Sequence, residues 1–265
     1  MANSKNNTIQ VSNLSVIFND VQVGLQALEN VNFAVKKGEF VSIIGPSGCG
    51  KSTLFRALGD MLDQEDVGIN GEIKIAGETT KMARENRKIG LVFQTPTLLE
   101  WRSVLKNVEL PLEIMKIDKN ERRKRAKKLL KMVGLEQYSK FRPSKLSGGM
   151  QQRVSIARAL AYNPEVLLMD EPFGALDEVT RRKMNDELIE VWKRTNKTIL
   201  FVTHSIEEAV YLSEKIIVLS KRPGTIKDII DVKLKYPRKE LLSDVKFFNV
   251  VKEVRENFDY NNGNH

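Results

Sequence analysis

The chain has 265 residues, 41% hydrophobic and 29% charged, with 43 Lys+Arg against 34 Asp+Glu and a net charge of +9. Such a balance belongs to a soluble globular protein able to bury a full core, as one large domain or one domain with an inserted lobe. A single cysteine, Cys49, excludes an internal disulfide and suits a reducing cytoplasm. No run approaches the ~18–20 apolar residues of a membrane span, and Met1–Asn7 is polar, so neither a span nor a secretory signal is expected.

From the N-terminus, Ile9, Val11, Leu14, Val16 and Phe18 alternate with polar residues as a half-buried strand would. Residues 31–44 predict two more strands joined at Lys37-Gly38. The apolar run Phe40–Ile44 enters Gly45-Pro46-Ser47-Gly48-Cys49-Gly50-Lys51-Ser52-Thr53, and Leu54–Leu58 leaves it. Strand, glycine-rich loop and helix in that order are the context of a phosphate-binding loop. Glycines let successive backbone N–H groups converge on one anion, and the helix adds the positive end of its dipole. Lys51 is expected to reach the β- and γ-phosphates, and the Ser52 hydroxyl to ligate Mg²⁺. Cys49, inside the loop, reads as a small filler.

Gly71–Ala76 and Lys88–Phe93 predict further strands, and from about Gln94 to Pro143 the sequence turns helical and lysine-rich. Much of the charge excess lies in Glu121–Lys131, where Ala126, Leu129, Leu130 and Val133 recur at helical spacing, so a solvated helix face is the plain reading. No aromatic residues interleave with the basic ones there, which argues against nucleic acid as a partner. Strand-and-helix alternation resumes with Val166–Met169, Thr198–Val202 and Lys215–Leu219, and a helix Val179–Lys197 carries Met184, Leu188, Val191 and Trp192 as a core stripe. The fold class is therefore α/β, a parallel-sheet core interrupted by a helical lobe at about residues 95–150. A division into residues 1–220 and a C-terminal extension 221–265 is expected, the latter holding a hairpin-like segment (Thr225–Leu234) after the Arg222-Pro223-Gly224 turn. A helix from about Lys239 to Phe258 follows, then a polar Asn261–His265 tail expected to be disordered.

Two further stretches carry chemistry. Asp170-Glu171 closes the apolar run Val166–Met169; Asp170 would hold Mg²⁺ directly or through water, and Glu171 would orient and polarise water for in-line attack. Leu146-Ser147-Gly148-Gly149-Met150-Gln151-Gln152-Arg153 precedes an apolar-periodic run and reads as a capped helix start with bare backbone donors, a second anion site.

With that stretch the chain resembles the ATP-binding-cassette (ABC) family, whose signature it carries. The resemblance extends over nearly the whole chain. It implies a P-loop NTPase (RecA-like) core with an antiparallel β subdomain and an inserted α-helical subdomain, and ATP with Mg²⁺ as ligands. It also implies roles: Gln94 senses Mg²⁺ and the attacking water, Asp177 lies across a dimer seam, and His204 contacts the γ-phosphate. Phe18 stacks on adenine in place of the usual Tyr, losing only the hydroxyl. Ser147, Gly148, Gly149 and Gln151 cap the ATP held by a partner subunit, so a head-to-tail homodimer closed by ATP is expected.

The segment Leu98–Val108, followed by Pro111-Leu112-Glu113, is similar to that of ATPases in nitrate/sulfonate/taurine-type importers, a group that includes thiamine-precursor importers; Arg222-Pro223-Gly224 recurs there and Glu100 departs from the usual Pro. That likeness implies a peripheral subunit on the cytoplasmic face of the membrane, docked on permease subunits fed by a solute-binding protein. Two alternatives stand beside it: a soluble ABC ATPase acting on nucleic acid or ribosomes, supported only by the charge, and an exporter or lipoprotein-release ATPase.

Overall fold

The computed structural model describes residues 6–19, 24–63 and 65–259; the Asn261–His265 tail lies outside them. Two sheets organise the chain. The smaller is antiparallel and is built from β1 (Asn7–Phe18), β2 (Leu25–Lys36) and, after the phosphate loop, β4 and β5. Between them in sequence come β3 (Phe40–Ile44) and α1 (Lys51–Leu58), then β4 (Val67–Ile75) and β5 (Glu78–Thr79), giving the order β2-β1-β4-β5. A short α2 (Thr80–Glu85) leads to β6 (Ile89–Val92), and α3 (Val104–Ile114), α4 (Lys119–Met132) and α5 (Gly148–Leu160) form the helical lobe. Then follow β7 (Val166–Asp170), α6 (Glu178–Thr195), β8 (Thr198–Val202), α7 (Ile206–Leu212), β9 (Lys215–Leu219), β10 (Ile226–Asp231) and α8 (Val245–Asp259).

The larger sheet runs β10-β9-β3-β8-β7-β6, parallel throughout except for β10, which pairs antiparallel with β9. Its central strands are buried on both faces, and their period of two divides the core. Phe40 and Ile44 of β3, with Leu167 and Met169 of β7, join the packing of α5, α6 and α7. Val41 and Ile43, with Val166 and Leu168, face α1 and the antiparallel sheet. Both parallel and antiparallel parts match the expected class.

The two strands expected on either side of Lys37-Gly38 are β2 and β3; they belong to different sheets, and Gly38 (φ 77°) turns the chain from one layer to the next. Two expectations are corrected in detail. β4 starts four residues before Gly71, which sits within it at φ 96°; a Cβ there would meet the Asn13 carbonyl oxygen at 2.4 Å. The last helix is interrupted: a 3₁₀ turn covers Lys239–Ser243, extended Asp244 breaks it, and α8 begins at Val245.

Candidate nucleotide site

The loop between β3 and α1 takes its shape from two glycines in the left-handed region, Gly48 (φ 73°) and Gly50 (φ 100°). Gly50 is the N-cap of α1 and supplies no side-chain cap, so the first N–H groups of the helix are left for an anion. Lys51, only 8% exposed, donates from Nζ to the Gly45 carbonyl at 2.7 Å and to the Pro46 carbonyl at 2.9 Å. Gly45, Pro46 and Cys49 therefore form the rear of the loop. Cys49 Sγ is turned inward, and burial pushes its thiol pKa up although Lys51 pulls the other way.

In front of the loop lies a cleft of about 480 Å³ whose lining includes Ser47, Gly48, Gly50, Lys51, Ser52 and Thr53, with Glu171 and His204 opposite. Its apolar end is Phe18, Leu25 and Ala27: Phe18 closes β1 and pairs with Leu25 at the start of β2. Phe18 thus stands where a flat ring could be stacked, at the far end from the Glu171 carboxylate.

Glu171 occupies strained backbone. Its φ of 42° places a long side chain in the left-handed region, which costs on the order of 1 kcal/mol or more. The turn holds it there: Glu171 N donates to the Val202 carbonyl at 2.9 Å, and Gly174 N donates to the Glu171 carbonyl at 3.0 Å. The result is a carboxylate aimed into the cleft, with Oε2 3.2 Å from His204 Nδ1. Gln94 joins the group through Gly174, since a Cβ built on that glycine would lie 3.3 Å from Gln94 Nε2 and 3.6 Å from Glu171 Oε2. Asp170 ends β7 beside them; burial and the Glu171 charge push its carboxyl above the usual range, against the pull of Arg56 and Lys51. Asp170 does not line the cleft itself, whereas Glu171 and Ser52 do; a carboxylate and a hydroxyl are the hard oxygen donors a divalent cation takes.

The other predicted residues stand apart from this cleft. Ser147 caps α5, its Oγ accepting from Met150 N at 3.4 Å, and Ser147 and Gly148 are exposed. Asp177 caps α6 through Thr180 N at 3.0 Å. The two helix starts touch, because a Cβ on Gly149 would come within 3.0 Å of Thr180 Cγ2 and one on Gly148 within 3.4 Å of Leu176 Cδ2. Gln151 turns back on its own chain, donating to the Pro143 and Leu146 carbonyls at 3.2 and 3.3 Å.

Its neighbour Gln152, buried at 1% exposure, is the residue that crosses to the cleft side, donating to the Phe93 carbonyl at 2.8 Å, next to Gln94. Sequence reading passed over Gln152 because burial, not residue type, separates it from Gln151. Arg222 was missed too: it lines the cleft from the β9–β10 turn, and its only sequence signal was the neighbouring Pro223-Gly224.

A phosphate loop ahead of a strained glutamate and a histidine, on a parallel sheet with an antiparallel layer and a helical insertion, defines a P-loop nucleotide hydrolase. The ABC transporter family model matches residues 28–174. An aliphatic sulfonates import ATP-binding protein of Bacillus cereus is 41% identical over 96% of this chain and 96% of its own. A taurine import ATP-binding protein of Rhizobium johnstonii is 46% identical over 76% of this chain and 75% of its own. Among solved structures, the cassette MJ0796, a dimer in a post-hydrolysis state bound to ADP and Pi, superposes with a TM-score of 0.72 at 38% identity, covering 86% of this chain and all of that one. The chain belongs to the ABC transporter family and is an ATP-binding, ATP-hydrolysing cassette of it.

Proposed function

We propose that this ATPase powers the import of a small anionic solute of the sulfonate or taurine type, as the peripheral subunit of a two-fold permease. The observation that carries the site reading is the convergence of Lys51, Ser52, Glu171 and His204 on one cleft with an aromatic ring at its other end. ATP would lie with its base on Phe18 and its phosphates under the N–H groups of residues 48–53. Lys51 would exchange its loop carbonyls for phosphate oxygens. Mg²⁺ would be held by the Ser52 hydroxyl, Asp170 and Gln94 together with phosphate oxygens, and when bound it supplies charge neutralisation at the phosphates. Glu171 would accept a proton from the attacking water, and the His204 ring at 3.2 Å would fix the carboxylate's orientation and reach the γ-phosphate.

Ser147, Gly148 and Asp177 are exposed on one edge, with Gly149 buried between them, and none of them lines the same chain's cleft. That separation supports a head-to-tail homodimer in which each copy's Ser-Gly-Gly tip covers the other's nucleotide. Hydrolysis removes the bridging γ-phosphate and lets the halves part.

The permease reading is supported by the helical lobe. Trp101 is 72% exposed, Ile114 68% and Phe141 46%; Phe141 sits near the start of α3, accepting from Val104 N at 2.8 Å. The Trp101 loop is held rigidly from beneath by fully buried Asn107. Its Oδ1 accepts from Leu99 N at 2.8 Å, and its Nδ2 donates to the carbonyls of Leu99, Arg102 and Ser103. A stiff loop presenting a bare indole suits a protein partner. No helix among the described residues is long and apolar enough to cross a membrane, so the permease would supply the spans.

The decisive experiment is reconstitution: the chain should co-purify with a sulfonate-type permease and hydrolyse ATP faster when that system's binding protein presents an organic sulfonate. Trp101→Ala should lose the permease while keeping nucleotide binding. Undiminished association of that variant would overturn the docking surface, and stimulation by an unrelated solute would overturn the solute class.

A further inference from the structure

Resting on the reading of the cleft as the ATP site, we infer that Arg222 is a further nucleotide-binding residue, its guanidinium taking the α-phosphate. The turn that carries it is fixed on three sides. Ser220 N donates to the Thr225 carbonyl at 3.0 Å, and the Ser220 hydroxyl accepts from Thr225 N at 2.9 Å. Gly224 is bonded to β2 through both backbone groups: its N donates to the Ala27 carbonyl at 2.9 Å, and its carbonyl accepts from Glu29 N at 3.0 Å. On the third side it touches the phosphate loop, because a Cβ on Gly224 would fall 2.1 Å from the Cys49 carbonyl oxygen. Only glycine allows that approach, and the approach places the residue two positions earlier at the seam between Ala27, at the apolar end, and the loop residues Cys49 and Gly50.

Arg222 lines the cleft there, exposed. Its position differs from that of the cleft's buried cation. Lys51 is committed to the Gly45 and Pro46 carbonyls at the loop's rear and so serves the β/γ end. No carboxylate among the described residues pairs with Arg222. Between a stacked base and a phosphate loop, the anionic group at that seam is the phosphate next to the ribose. A guanidinium, with donors only and a fork matched to two phosphate oxygens, suits it better than an ammonium would. The turn thus couples the edge of the main sheet to the antiparallel layer and to the nucleotide at once.

The test is nucleotide affinity by calorimetry or by competition, using Mg-ADP and adenosine as ligands. Arg222→Gln should bind Mg-ADP about five- to tenfold more weakly, the size of one partly exposed charge-assisted contact. Adenosine affinity and the melting temperature should stay unchanged, and Arg222→Lys should fall between the two proteins. Equal Mg-ADP affinity in Arg222→Gln and the unaltered chain would overturn the inference and leave the proposed function standing. A parallel loss for adenosine would overturn the phosphate assignment, placing the guanidinium on the base. If the unaltered chain binds neither ligand, the reading of the cleft fails and this inference with it.

Discussion

Two helices of this chain, α1 and α5, begin at stretches expected to bind anions, and they are finished to different degrees. At α1 the helix start has no side-chain cap, its flanking glycines are in the left-handed region, its first residue is the buried Lys51, and a strained glutamate and a histidine line the same cleft. At α5 the start is capped by Ser147 and sits on an open edge beside the start of α6. A helix dipole with a few bare N–H groups attracts an anion in both cases, but weakly in water. Only the first has the enclosure that makes such donors strong. The difference is the one the proposed dimer requires, with α5 as half of a site, a lid whose floor would lie on another copy.

The largest effect that could break this comparison is at the enclosed end. Glu171→Gln should retain ATP affinity, accumulate as an ATP-dependent dimer in size-exclusion chromatography, and lose about 10³-fold in turnover, the range of a positioned general base. Hydrolysis at the parental rate would remove Glu171 from the chemistry. Next comes the open end. Ser147→Arg should leave single-chain ATP binding intact while abolishing the dimer and lowering turnover by roughly 10²-fold, as loss of transition-state donors does. If instead it weakens ATP binding by the isolated chain and spares dimerisation, α5 serves its own cleft and the lid reading is wrong.

A third measurement asks what keeps the cleft side rigid. His204 stands just before α7, and the far end of α7 is held by Arg238, buried to 1%. Its guanidinium donates to the carbonyls of Val210, Tyr211 and Ser213, where a helix end leaves acceptors unsatisfied, and to that of Leu234. It also lies 4.1 Å from the Tyr236 ring centroid. Arg238→Ala should cost about 3 kcal/mol and lower the melting temperature by roughly 6–12 °C. A change under about 2 °C would mean that the C-terminal segment is not what anchors α7.

The smallest effect is one of pH. Burial raises the Glu208 carboxyl of α7 above its ordinary range, opposed by Thr203, Arg181 and Asn185. A group whose folded-state pKa is raised gives stability that is present below the unfolded value and lost as pH rises through the folded one. The stability of the unaltered protein relative to Glu208→Gln should therefore decline between the normal glutamate range and the raised value. A relative stability that instead climbs with pH in urea titrations would show a carboxylate whose charge is favoured in place.

Much of this molecule was legible in the chain because its main devices are local. The phosphate loop needs its strand, its glycines and its helix side by side, and period-two and period-3.6 patterns report the faces of β1, β7 and α6 directly. The cap at Ser147 is likewise a single residue in front of its helix. What stayed hidden depends on encounters across long separations. Gln151 and Gln152 differ only in which side of α5 they occupy, and only packing sends Gln152 to Phe93. Arg222 reaches the cleft because Gly224 closes on Cys49, 175 positions earlier in the chain.

By itself the sequence determined the α/β class, the motif order and the candidate site residues, since each is written in contiguous residues whose local geometry follows from sterics and backbone hydrogen bonding. Tertiary structure alone decided that β2 and β3 part into separate layers and that Glu171 is strained toward His204. It also decided that the Ser147 tip faces away from its own phosphate loop. Those outcomes follow from burying two faces of one sheet at once, a constraint that acts on the whole chain and leaves no mark at any single position.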